Sequence, residues 1–207
     1  MRSDDIPTDV TQLDFDRIIG GTPVPSQRKY PWVGWMGTAK NNFICTLALN
    51  NDRYMLTAAH CIQSNLAGTF YVTLGSKNLF QLPAGQSIQI AAKAIRHPNY
   101  NTQTLQNDIA LLKLQTPLNF VAYPNIRPIC LDSANPRANS VVTIVGWGLT
   151  SGISQRVSGL DLRTDLGRVP IDGEIGRRVS DGLGSLWVRR EDNSVIINGR
   201  NNCRRTA

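Results

Sequence analysis

No stretch of the 207-residue chain is apolar for long enough to make a membrane-crossing helix. None of the four cysteines stands in a CxxC pair, so zinc and dithiol redox chemistry are not expected. Formal net charge is +7, yet no dense Lys/Arg run and no aromatic-interleaved basic stripe occurs. A nucleic-acid partner is therefore not expected, and the charge reads as a plain excess of arginine. Helical periodicity is nowhere sustained and no internal repeat is present. Met1 to Arg17 is acidic and polar and lacks the apolar centre of a secretory signal. Lysine is missing after residue 148, and Trp187 is the only aromatic ring there.

What remains reads as an all-β chain. Apolar, aromatic-rich or alternating runs occur at Pro31–Met36, Phe43–Asn50, Arg53–Leu56, Thr69–Leu74 and Ser87–Ile95. Turn residues punctuate them, among them Asn50-Asn51-Asp52, Gly75, Pro83 and Gly85. Short strands at this spacing predict a barrel or a sandwich.

Two tracts carry chemistry. Leu56-Thr57-Ala58-Ala59-His60-Cys61 places a histidine just beyond a β-type run, with Cys45 sixteen residues before Cys61. If those cysteines pair, the loop they close pins an imidazole at a strand end, where it can take and return protons near neutral pH. Closing that loop contributes roughly 3 kcal/mol in the chain-entropy account. Asn107-Asp108 heads the apolar run Ile109–Leu114, so Asp108 is half-buried and needs a partner. Taken alone, the first is more often a packed or surface imidazole than a base, and the second a strand-start or turn carboxylate as readily as an orienting one. His97, in the loop tract His97-Pro98-Asn99-Tyr100, is assigned no chemistry.

The His60 hexapeptide, the Asp108 tract and Arg17-Ile18-Ile19-Gly20-Gly21 together resemble the trypsin/chymotrypsin family of serine endopeptidases. The likeness runs from about Arg17 to Gly148. It implies a double β-barrel with a complete first barrel. His60 would be general base and acid, and Asp108 would fix its tautomer. Arg17 and Ile18 would flank the activation cleavage of a zymogen, and Cys45–Cys61 would be a structural bridge of an oxidising, extracellular compartment. Pro124–Leu131 resembles the connector between the two barrels, and Val141–Gly148 the first strand of the second. Thr46 and Leu47 stand where relatives carry two glycines, and Val142 where many carry a cysteine. Cys130 and Cys203 have no candidate partner but each other. The implied substrate is a peptide or protein. No cofactor or metal is expected, and Gly75 to Gly85, near the calcium loop of some relatives, has no carboxylate.

After Gly148 the likeness stops. Nothing there reads Gly-Asp-Ser-Gly-Gly, the family's nucleophile motif, so the attacking hydroxyl, the adjacent oxyanion-hole amides and the specificity pocket are not expected. Asp181-Gly182-Leu183-Gly184-Ser185 has the letters in another order, and neither Ser185 nor Ser158 replaces the nucleophile. The organisation expected is a propeptide-like segment 1–17, a protease domain 18–148, and an Arg/Gly-rich, poorly ordered tail 149–207. Within the tail, Leu186–Val188 and Val195–Ile197 suggest a hairpin. Three readings follow: an endopeptidase, inactive for want of its serine; a non-catalytic homologue acting as a binding module; and a truncated or mis-spliced product. With most of the second barrel missing, an apolar seam would face water, lowering solubility unless a protein partner covers it.

Overall fold

The computed structural model describes residues 22–79, 81–131 and 141–147, together with the backbone of strands at 163–168, 186–188 and 195–197. Among the described residues eleven strands form two antiparallel sheets. Six of them close on themselves: β2 (Val33–Gly37), β3 (Cys45–Leu49), β4 (Tyr54–Thr57), β5 (Phe70–Leu74), β6 (Ile88–Arg96) and β7 (Ala110–Leu114), in the order β2-β3-β4-β7-β6-β5. The expected all-β architecture with a complete first barrel is thus present, each strand within a residue or two of its sequence-derived run.

Local chemistry sets the turns. In the β3–β4 hairpin the Asn51 Oδ1 accepts from the amides of Arg53 and Tyr54, an Asx turn that delivers the chain back into β4. Closure buries two kinds of strand. Every residue of β2 and β3 is buried. Part of the cover is the connector after residue 124, whose Arg127 and Ile129 amides donate to Pro31 O and Leu49 O at 3.1 and 2.9 Å. In β6 and β7 burial alternates along the second half of the strand, with Ala92, Leu112 and Leu114 inward and Lys93, Ile95 and Lys113 outward, so the outer face there meets water.

The tract Thr46-Leu47, which departs from the family's two glycines, sits inside β3. Leu47 is fully buried and pairs across the sheet with Gly34. A Cβ on Gly34 would come within 2.6 Å of Thr73 O and 3.0 Å of a Leu47 methyl. The bulk gained at position 47 therefore occupies space that glycine leaves on the facing strand. Thr46 carries a buried hydroxyl with no hydrogen-bond partner, while its carbonyl accepts from Thr57 Oγ1 at 3.2 Å.

The second sheet is open. β1 (Thr22–Pro23), β8 (Val141–Gly146), β9 (Arg163–Arg168), β10 (Leu186–Val188) and β11 (Val195–Ile197) lie in the order β1-β9-β8-β11-β10. The hairpin expected in the tail is formed, with Leu186 opposite Ile197 and Val188 opposite Val195. β9 was not anticipated: Arg-Thr-Asp-Leu-Gly-Arg has no apolar alternation to announce a strand, and it forms by matching the preceding strand, β8, over six residues. Just past β8, Trp147 is buried against the first barrel. Its indole N–H donates to Lys77 O at 2.8 Å, and its ring meets Phe43 edge-on with centroids 6.4 Å apart.

Candidate active site

His60 opens a 3₁₀ turn (His60–Asn65) at the end of β4, and Asp108 stands two residues before β7. Antiparallel pairing of Thr57 with Ala110 brings those two ends together, although the residues are 48 apart in sequence. The imidazole Nδ1 and the Asp108 Oδ2 are 2.7 Å apart. The second carboxylate oxygen, Oδ1, accepts from the backbone amide of His60 at 2.8 Å. Asp108 thereby grips ring and backbone of one residue at once. Its bonded geometry places the imidazole hydrogen on Nδ1, which leaves Nε2 with the lone pair that a general base needs. Side-chain exposures of 17% for His60 and 12% for Asp108 make this a largely sheltered pair, not a solvent-screened surface ion pair.

The loop before Asp108 is held in an uncommon shape. Leu105 and Asn107 both adopt left-handed backbone, with φ of 55° and 56°. Asn107 Nδ2 donates to Asn99 O at 2.9 Å, and Asn107 O accepts from Ile109 N at 2.8 Å, so Asp108 sits at the apex of a tight turn. Sequence reading overlooked Leu105 and Asn107. The available signal was the asparagine, a residue that tolerates left-handed backbone, directly before the carboxylate.

Cys45, at the start of β3, is disulfide-bonded to Cys61. The bridge ties the turn bearing His60 to the barrel wall, and Cys61 Sγ lies 3.5 Å from Nε2. Ligating atoms of Cys45, His60 and Cys61 gather within 4.8 Å, but both sulfurs are committed to each other and only an imidazole is left for a metal. Among the described residues this cluster is therefore no metal centre. His97, as expected, serves a loop: its Nδ1 accepts the Asn99 amide at 3.2 Å. Arg17, Ile18, Ser158, Ser185 and Cys203 lie outside the described residues. Cys130 is disulfide-bonded too.

Comparison with known proteins agrees with this geometry. The family model described as Trypsin matches residues 18–165, which carries the likeness past residue 148 and into β9. Serine protease 1 of Rattus norvegicus is 36% identical over 149 residues, covering 72% of this chain and 56% of the relative. Anionic trypsin of Bos taurus is 35% identical, with coverages of 68% and 54%. Kallikrein-14 of Homo sapiens is 32% identical, with coverages of 68% and 51%. The chain thus spans about half the length of these relatives. With that family model matched over well more than half of its length, the chain belongs to the trypsin family of serine proteases.

Proposed function

We propose that these 207 residues carry the proton-handling half of a serine endopeptidase site and do not themselves hydrolyse peptides. The reading rests on one observation: Asp108 holds His60 by both ring nitrogen and backbone amide, at 2.7 and 2.8 Å. In acyl transfer His60 would take the proton of a serine hydroxyl at Nε2 and later return it to the leaving amine, while Asp108 stabilises the imidazolium. A base so placed contributes on the order of 10²- to 10⁴-fold, but only if a nucleophile and an oxyanion hole stand beside it. The sequence offers no Gly-Asp-Ser-Gly-Gly segment to supply either. Extracellular location, cleavage between Arg17 and Ile18, and peptide or protein substrates for an intact relative belong to the same reading, as does a domain division at residues 17 and 148. A fluorophosphonate probe tests it. The 207-residue chain is expected to remain unlabelled while a trypsin control reacts fully, and stoichiometric labelling of Ser158, Ser185 or another serine would overturn the reading.

A non-catalytic binding module is the second reading, and a specific feature favours it. All six barrel strands are paired on both sides within the barrel itself, and none uses the second sheet to complete its hydrogen bonding. A protein partner would then engage the barrel and its loops.

A further inference from the structure

The net charge of +7 is distributed very unevenly. Residues 22–131 hold nine lysines and arginines against two aspartates, whereas the rest of the chain holds thirteen of each sign. The whole excess, with all five lysines, therefore lies between residues 22 and 131, the segment that contains the first barrel. Of the two aspartates, Asp108 is engaged by His60, which leaves Asp52 as the only other carboxylate in residues 22–131. Among the described residues the His60–Asp108 contact is the sole ion pair. Nine cations thus lack any carboxylate partner there.

The charge has a focus. Lys93 of β6 lies directly opposite Lys113 of β7, and Tyr54 of β4 continues the row. Directly opposed like charges repel, because facing residues on paired strands sit about 5 Å apart. Both lysines are exposed, on the part of the barrel wall whose outer face meets water. Lys93 is held in place by Ala67 O and Gly68 O at 3.3 and 3.1 Å, which positions the ammonium without neutralising it. Arg53, whose carbonyl accepts from Leu114 N, stands level with that inward leucine and so off the Lys93–Lys113–Tyr54 row.

We propose that this outer face, centred on Lys93 and Lys113, binds a linear sulfated polysaccharide. Compact ammonium charges facing one another on the barrel wall suit a chain of point-like sulfates, which need no paired fork of donors. A folded acidic protein fits less well, because a stable interface needs an apolar centre and Ile95, 46% exposed, is the only large apolar side chain exposed on β6 or β7. Single-stranded nucleic acid fits less well too, since it needs stacked aromatic platforms and the row supplies one half-buried tyrosine. A disulfide-bonded chain of this kind belongs where sulfated glycans are found.

The test uses the full 207-residue chain and fluorescent heparin oligosaccharide at near-physiological salt. Binding is expected, with affinity falling steeply as salt rises. Lys93→Gln with Lys113→Gln is expected to weaken binding at least tenfold, and Lys29→Gln with Lys40→Gln, the same charge change elsewhere, no more than about twofold. Lys93→Arg with Lys113→Arg should retain it. Removing opposed like charges should leave the melting temperature equal or higher, so the loss will not be unfolding. Lys113→Gln alone, which keeps the Lys93 contacts intact, is the second variant and should lose at least threefold. Equal losses from the two glutamine pairs would overturn the proposal in favour of bulk charge. Equal or tighter binding of polyglutamate or desulfated heparin would overturn it in favour of an acidic partner of another kind, and tighter binding of single-stranded DNA in favour of nucleic acid.

Discussion

The first barrel and the second sheet are both antiparallel, but they are assembled differently. In the barrel, most neighbouring strands follow one another in sequence, and ring closure leaves no edge. In the second sheet β1 pairs with β9 through Thr22 and Thr164, and among the described strands β1 and β10 stand at its two ends. Long-range pairing costs loop entropy before any contact rewards it, and an edge strand has hydrogen bonds on one side only. The comparison teaches that the elements holding His60 and Asp108 are the self-sufficient part of this chain.

That contrast can be broken or sharpened by measurement. The largest expected effect is in hydrogen exchange: amides of β2–β7 should exchange about 1000-fold more slowly than those of β9–β11, a gap of about 4 kcal/mol in opening free energy. Equal protection would show a single cooperative unit. Next, Cys45→Ala with Cys61→Ala should lower the barrel's protection by roughly 3 kcal/mol while the open sheet changes little. Parallel losses in both would again join the two regions. Third, Gly34→Ala should cost about 2 kcal/mol in urea unfolding, because its Cβ would press on backbone Thr73 O, 2.6 Å away. Wild-type stability would show that β2 and β5 separate readily. Smallest is Asp108→Asn, which exchanges charge-assisted bonds for neutral ones and should cost about 1.5 kcal/mol. It should also abolish any far-downfield imidazole proton in the NMR spectrum. A variant as stable as the parent would mean that the grip on His60 contributes nothing to the fold.

The sequence disclosed the barrel well because its strands are apolar, short and joined by recognisable turns such as Asn50-Asn51-Asp52. His60 and Asp108 stood out through their flanking residues. Less was visible where the cause lies across the sheet. Thr46-Leu47 stands where the family carries two glycines, yet Leu47 is matched by Gly34, thirteen residues earlier, and only the β2–β3 register makes them neighbours. β9 escaped notice because Arg163–Arg168 has no alternation, and its pairing with β8 shows only in the sheet register. The charge of the barrel was hidden by averaging: thirteen compensated pairs of charges elsewhere made the excess look like a general property of the chain.

The connector has a mechanical meaning. Ile129 is stitched to Leu49 at the far end of β3, Cys130 follows it and is itself cross-linked, and the near end of β3 is Cys45, welded to the neighbour of His60. Strand β3 is thus fastened at both ends, covalently at Cys45 to the residue beside the imidazole and by a hydrogen bond at Leu49 to the residue before Cys130, so the connector and the histidine's turn share one strand as their common mount.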